Sequence, residues 1–304
     1  MAQRGADILD VGMVSAVGLS AVLTAAAVRA GTCRFRDSPV LDRDFEPIVM
    51  GLVPSAELPA LAPALGSAGE PVSRRERMLR LAGRALRESL KNETRIKSTP
   101  VLLAAPDAHP GYPFPLDPSF LEQLAVQADL PFDLARSRLF PHGRAAAFLA
   151  LREALDRLQS GAAERIVVGG VDSHLDGMLL AALEHEGRIL GGGGRDGFIP
   201  GEGAGFLLLG RPRSARKSSP EPLARLDEAA HALEPGHRYS SEVYLGAGLD
   251  AAFGWLFAAL PAMAPVQTVY AGLNGESFNG KEWGVACIRH REHLAEDFAI
   301  EHPV

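Results

Sequence analysis

The stretch from Arg195 to Leu209 constrains the fold more than any other. It reads Arg-Asp-Gly-Phe-Ile-Pro-Gly-Glu-Gly-Ala-Gly-Phe-Leu-Leu-Leu. Its glycines permit tight turns and close backbone approach, and Gly205 to Leu209 then forms a strand without a polar face. Thr99 to Ala105 and Arg165 to Val168 follow the same apolar pattern after their first residues. Strands of this kind are buried on both faces. Alternating with helices, they predict an α/β protein whose mixed sheets carry helices on both sides.

The remaining elements follow from local signals. Ile8 to Val14 reads as a short buried strand, and Leu19 to Ala30 as an Ala-rich helix ended by Gly31. Pro39 to Val72 is rich in prolines and small residues and is predicted to be irregular. Ser73 caps a helix with Glu76 at the capping-box position, and Met78, Ala82, Ala85, Leu86 and Leu90 share its apolar face. Pro106 to Pro118 reads as a loop and Ser119 to Ala128 as a helix. Phe140 to Gly143 form a turn, and Arg144 to Gln159 a helix with Ala145, Phe148, Leu149, Leu155 and Leu158 inward. Leu175 to Glu186 is helical, Gly191 to Gly194 a loop, and 211–222 a charged linker between two halves. Beyond it lie strands at 223–226, 266–272 and 298–302 and helices at 247–260 and 281–296.

The chain has 304 residues, 47% of them hydrophobic, enough for one large domain or two smaller ones. A net charge of -6 and the lack of a long basic run argue against nucleic acid as a partner. Cys33 and Cys287 stand far apart with no metal-ligand spacing, so neither a disulfide framework nor a metal is expected, and a cytoplasmic location fits. From Val11 to Val28 no residue is charged, but two glycines and two serines interrupt the run, and acidic residues precede it. It is read as strand, turn and buried helix, with no membrane partner.

The segment Asp196-Gly197-Phe198-Ile199-Pro200-Gly201-Glu202-Gly203-Ala204-Gly205 closely resembles one in β-ketoacyl (3-oxoacyl) carrier-protein synthases, members of the thiolase-like superfamily. Arg165-Ile166-Val167-Val168-Gly169-Gly170-Val171-Asp172 resembles the strand and turn after their nucleophile helix, and Gly12-Met13-Val14-Ser15 their first turn. The resemblance is strong over 139–209, moderate at the N-terminus and weak beyond 222. It implies a thiolase-like fold of two similar halves in five layers. The halves fall at 1–210 and 223–304, the second incomplete: part of its sheet and its covering helix are expected to be missing, through truncation or with a partner supplying the cover. It also implies a homodimer through the 165–168 strand, and an acyl carrier protein as a possible partner class. Architectural roles fall to Asp196, Gly197, Phe198, Gly201, Glu202, Gly203 and Gly205.

Such enzymes form an acyl thioester on a cysteine at a helix N-terminus, where the dipole and amides favour thiolate and oxyanion. Here the matching position is Gly143 or Arg144, neither of which can be acylated in this way. The first of the family's two histidines is replaced by Tyr270 or Ala271; the second would lie beyond Val304. If the chain is active with a rearranged site, the candidates are His142, Asn274 and Glu276. His142 sits in a Pro-His-Gly turn without an identifiable base partner, and Asn274-Gly275 is foremost a turn dipeptide. Cofactor motifs are missing: 201–205 lacks dinucleotide spacing, 191–194 is not followed by Lys-Ser/Thr, and 275–279 fails as a nucleophile elbow. His290 and His293 are expected on a solvated helical face, not as a metal pair.

These features imply a ketosynthase-like protein that does not catalyse Claisen condensation and serves as a binding or assembly subunit. Catalytically silent relatives in the family include chain-length partners of polyketide synthases and ketosynthase-like proteins of type VI secretion clusters. This chain is more similar to the latter. The alternative is an active 3-oxoacyl carrier-protein synthase or other acyltransferase with a relocated catalytic set.

Overall fold

The computed structural model describes residues 5–66, 73–112, 116–191, 196–212, 221–260 and 265–302. It contains two compact units, one of residues 1–181 and 200–227 and the other of 182–199 and 228–304.

The first unit is built on a six-stranded mixed sheet. In chain order its elements are β1 (Ala6–Ser15), α1 (Ala21–Arg29), β2 (Arg36–Leu41), β3 (Pro47–Met50), α2 (Arg74–Ser89), β4 (Val101–Ala105), α3 (Ser119–Ala128), β5 (Arg138–Pro141), α4 (Ala146–Ser160), β6 (Arg165–Ser173), the start of α5 (Gly177–His185), whose residues from Ala182 belong to the second unit, β7 (Glu202–Gly210) and β8 (Ala224–Leu226). The sheet order is β5-β4-β6-β7-β1-β8. β4 runs parallel to β5 and β6, while β7 is antiparallel to both β6 and β1. The apolar strands of the sequence thus occupy the centre of the sheet, where Val167, Leu103 and Leu209 are fully buried.

Helix α2 covers one face of this sheet. Ser73 accepts from the Glu76 amide while the Glu76 carboxylate accepts from Ser73, the reciprocal capping box that its sequence encodes. Met78, Leu81, Ala82, Ala85 and Leu86 are all buried beneath it. The closest approach is at Gly12 of β1, where a Cβ atom would lie 2.0 Å from the carbonyl oxygen of Ala85. Backbone meets backbone there, so no side chain can swing aside. Gly12→Ala is therefore expected to lower stability by about 1–3 kcal/mol, the usual cost of overpacking. Denaturant titration checks this; an unchanged midpoint would contradict the close packing.

Several local expectations require correction. The stretch predicted to be irregular begins with a hairpin, β2 and β3, because the Asp42 carboxylate accepts from the amides of Asp44 and Glu46 and closes the turn. Helix α4 begins with a 3-10 turn over Gly143–Ala145. Phe148, expected inward, is 53% exposed. Alanines set the buried face of α4, with Ala146, Ala150, Ala154, Leu155 and Leu158 inside, and Phe148 lies about half a turn away from it. The strand near Leu223, expected to open the second half, pairs instead with β1 at the edge of the first sheet.

The dimer interface expected at residues 165–168 of β6 cannot form there. β4 and β7 flank the strand, and Arg165 to Val168 pair with Gly210 to Leu207 on the β7 side. A strand with both edges filled has no backbone groups left to extend a sheet.

The second unit contains α6 (Ala247–Ala259), β9 (Val266–Tyr270), α7 (Ser277–Arg289) and β10 (Leu294–Glu301), with β9 and β10 parallel. α7 starts four residues earlier than expected and stops at Arg289, since the chain from Leu294 is extended. Most of the 191–194 loop and the 211–222 linker lies outside the described residues.

Candidate functional site

Three places carry the residues singled out in the sequence. The first is the entrance of α4. β5 delivers Phe140, buried to 4% exposure beneath the Arg138 guanidinium at 4.9 Å. At His142 the chain turns, its amide donating to the Phe140 carbonyl and its carbonyl accepting from Ala145; the residue itself is exposed. Gly143 then adopts φ +53°, and a Cβ on it would stand 3.1 Å from the Asp107 Cβ. A side chain at 143 would be strained by this backbone conformation and would press on Asp107. Arg144 follows, exposed, and its guanidinium carries no nucleophile of the kind that forms an acyl thioester. The helix has no side-chain cap at Ala145, and Arg144 places a positive charge beside the positive end of its dipole.

The second place is Glu202, at the start of β7. Its carboxylate is fully buried and bidentate with Arg77 of α2: Nε to Oε2 and Nη2 to Oε1, both at 2.5 Å. The Val53 amide donates to Oε1 at 2.8 Å and the Ser173 hydroxyl to Oε2 at 2.8 Å. Arg77 also donates to the Val53 carbonyl and to Ser55 Oγ. One ion pair therefore ties β7, α2, the end of β6 and the segment after β3. Each of its carboxylate oxygens thus accepts two hydrogen bonds within the protein.

Around Glu202 the glycines set the backbone path. The Gly201 carbonyl accepts from the His174 amide and contacts His174 Nδ1, both at 3.0 Å. Gly203 is paired between Asp172 and Ser15, and Gly205 between Gly170 and Met13. The division between the two units falls inside this motif, after Ile199.

The third place is Glu276, at the start of α7 in the second unit. It is 5% exposed and meets two arginines: Arg188 Nε donates to Oε1 at 2.8 Å, Arg188 Nη2 to Oε2 at 3.1 Å, and Arg238 Nη2 to Oε1 at 2.7 Å. Asn274 Nδ2 donates to Oε2 at 2.9 Å, and Asn274 Oδ1 in turn accepts from the Glu276 amide and from Asn279 Nδ2. Burial opposes ionisation of Glu276, but hydrogen bonds from Arg188 and Asn274 and the charges of Arg188 and Arg238 outweigh it and hold its pKa below the ordinary value. A carboxylate so held is a poor general base.

Asp196 caps α7 from a distance, accepting from the Ser277 amide and hydroxyl, both at 2.6 Å. Those two hydrogen bonds lower its pKa. Phe198 exchanges backbone hydrogen bonds with Arg188 and Leu190, and the Arg188 guanidinium lies 5.5 Å over its ring. Gly197 is required where its Cβ would meet the Arg188 carbonyl at 2.7 Å.

The structure brings Asn274 and Glu276 together and commits them to this node; His142 belongs to the first unit and takes no part in it. Sequence reasoning does not single out Arg77, Arg188 or Arg238 as partners. Tyr270 is 74% exposed at the end of β9, and the Ala271 amide donates to the Glu301 carbonyl. His290 and His293, expected on one solvated face, lie at and beyond the end of α7. His290 Nε2 is 2.9 Å from Asp250 Oδ1, and His293 stacks on Phe257. Among the described residues no three metal-ligating side chains converge. No described helix is long and apolar enough to cross a membrane.

Residues 144–215 match the family Beta-ketoacyl synthase, N-terminal domain. The ketosynthase from module 6 of the bacillaene synthase of Bacillus subtilis 168 superposes with a TM-score of 0.71. It is 14% identical, over 98% of this chain and 56% of that one. The oxazolomycin ketosynthase domain of Streptomyces albus JA3453 gives 0.72 at 16% identity, over 98% and 58%. The fold is that of the ketosynthases. It is an α/β, thiolase-like fold, and the chain spans little more than half the length of these two proteins. The ishigamide ketosynthase/chain length factor matches at TM-score 0.65 and 19% identity, over 96% of this chain and 83% of that one. No curated protein sequence matches.

Within the ketosynthase fold, the match begins at Arg144, the residue at the α4 entrance. That places the sequence likeness on α4, β6, α5 and β7, the elements that frame Gly143 and Glu202.

Proposed function

We propose that this chain is a ketosynthase-like protein of the thiolase superfamily that does not carry out Claisen condensation and acts as a binding or assembly subunit. The observation that carries this reading is the α4 entrance, where Gly143, in a left-handed conformation against Asp107, and Arg144 stand in place of a nucleophile. Cys33 and Cys287 lie elsewhere, the latter within α7. Glu276 supports the same reading, since its carboxylate is already shared between Arg188 and Arg238. Incubation with acyl- and malonyl-coenzyme A, or with the same groups on a carrier protein, is expected to release thiol no faster than the uncatalysed rate. Turnover abolished by His142→Ala would favour the alternative, an acyltransferase with a rearranged site.

The finer reading is an assembly role, with a secretion-cluster protein or an acyl carrier protein as the partner class. One of the structural neighbours is a ketosynthase/chain length factor and another is a ketosynthase in complex with its acyl-carrier protein. With both edges of β6 paired, a dimer that extends the sheet needs another strand. β5 ends the sheet, with one side paired to β4 and the other row of backbone groups unpaired by any described strand. A homodimer that continues the sheet is therefore expected to form through β5. Sedimentation should give twice the mass of the chain, and a single-chain mass at micromolar concentration would remove this interface.

A further inference from the structure

Beside the start of β5 is a cavity of about 390 Å³ lined by Arg136, Arg138 and Arg157, with Pro100, Ser137 and three alanines forming the rest of its wall. We propose that it binds a small phosphate-bearing anion, a use distinct from anything at the α4 entrance. The three guanidinium groups are fixed by the protein before any ligand arrives. Arg136 donates from Nε to Asp133 Oδ2 at 2.7 Å, from Nη1 to the Ala162 carbonyl at 3.0 Å and from Nη2 to the Ser98 carbonyl at 3.0 Å. Arg157 donates to the Arg136 carbonyl at 2.6 Å and to Glu153. Arg138 donates to Glu153 Oε2 at 2.7 Å while stacked on Phe140.

Those bonds occupy six guanidinium N–H groups, and the others of these three side chains have no acceptor among the described residues. Asp133 and Glu153 are the carboxylates that meet the three arginines, so the cluster keeps an excess positive charge; Glu164, next to Ala163, is paired with Arg95. Planar donors held in place match the oxygens of a phosphate bidentately, and their ordering cost is already met. The volume exceeds that of a bare phosphate and the alanine and proline wall is apolar, which suits a compact organic body carrying the charged group.

Inorganic pyrophosphate is the probe, titrated calorimetrically into the purified chain. Saturable 1:1 binding is expected, weakened by raised salt and about tenfold by Arg138→Gln or Arg157→Gln, the loss of one charge-assisted contact. Arg87→Gln, on α2, should leave it unchanged. Arg157 also holds a backbone carbonyl, so circular dichroism accompanies that variant, whereas the more exposed Arg138 can be replaced without touching the backbone. The absence of binding at millimolar pyrophosphate, or binding that Arg138→Gln leaves unaltered, would overturn the site.

Discussion

Glu202→Ala is expected to destabilise the first unit by about 3–5 kcal/mol, a large part of the stability of a typical domain, so that the variant unfolds near physiological temperature or is recovered as aggregate. The cost comes from what is left behind. Arg77 is 3% exposed and would lose its counter-ion, while the Val53 amide and the Ser173 hydroxyl would each lose an acceptor. Glu202→Gln keeps the shape but restores only part of the loss, because the amide cannot accept bidentately from Arg77 on both atoms. The double replacement Arg77→Met with Glu202→Leu removes both charges and should recover much of it. Denaturant unfolding of the wild type, Arg77→Met, Glu202→Leu and their combination, treated as a double-mutant cycle, measures the coupling. A loss below about 1 kcal/mol for Glu202→Ala, the level of an exposed pair, would mean that this pair is not buried as described.

Glu276→Ala is expected to have a similar cost, confined to the second unit. Arg188 and Arg238 would face each other without the carboxylate between them, and Asn274 would lose one partner. The same node gives the unit a pH dependence. Glu276 has a pKa depressed in the folded state, so its contribution is complete above the unfolded value, about 4.3 for a free glutamate, and is lost as pH falls through the folded value. Asp196, at Ser277, has a depressed pKa and acts in the same direction. Amide hydrogen-exchange protection over 184–190, relative to the intrinsic rate at each pH, should therefore be high at neutral pH, fall below about pH 4, and be low at neutral pH in Glu276→Ala. Equal protection in the wild type and the variant would contradict the node.

What is legible in the sequence is what local patterns encode. The Ser73-x-x-Glu76 box and the apolar run of β7 each arise from neighbours within a few residues, and each is present. The hairpin at 36–50 stays hidden because its turn is closed by a side chain, Asp42, within a stretch whose prolines suggest irregularity. α7 reads late because Gly280 looks like a boundary, whereas Asp196 caps the helix at Ser277 from 81 residues away. The two arginine–glutamate nodes leave no local trace either: Arg77 and Glu202 are separated by 125 residues, and Arg188 and Glu276 by 88. The Asp-Gly-Phe to Gly-Glu-Gly motif is legible as a family mark, but only the folded chain shows that its residues up to Ile199 belong to the second unit and those from Pro200 to the first.

The glycine at 143 bears most directly on function. On the proposed reading the entrance of this helix takes the place of an acyl site, and here the backbone turns left-handed against Asp107 and passes straight to an arginine. Intact-mass spectrometry after incubation with an acyl thioester tests this most directly. The unmodified mass of the chain is expected, both for the wild type and with Cys33 and Cys287 replaced by serine. An acyl adduct that forms without those cysteines, maps to His142 or its neighbours and is discharged on adding a malonyl thioester would contradict it.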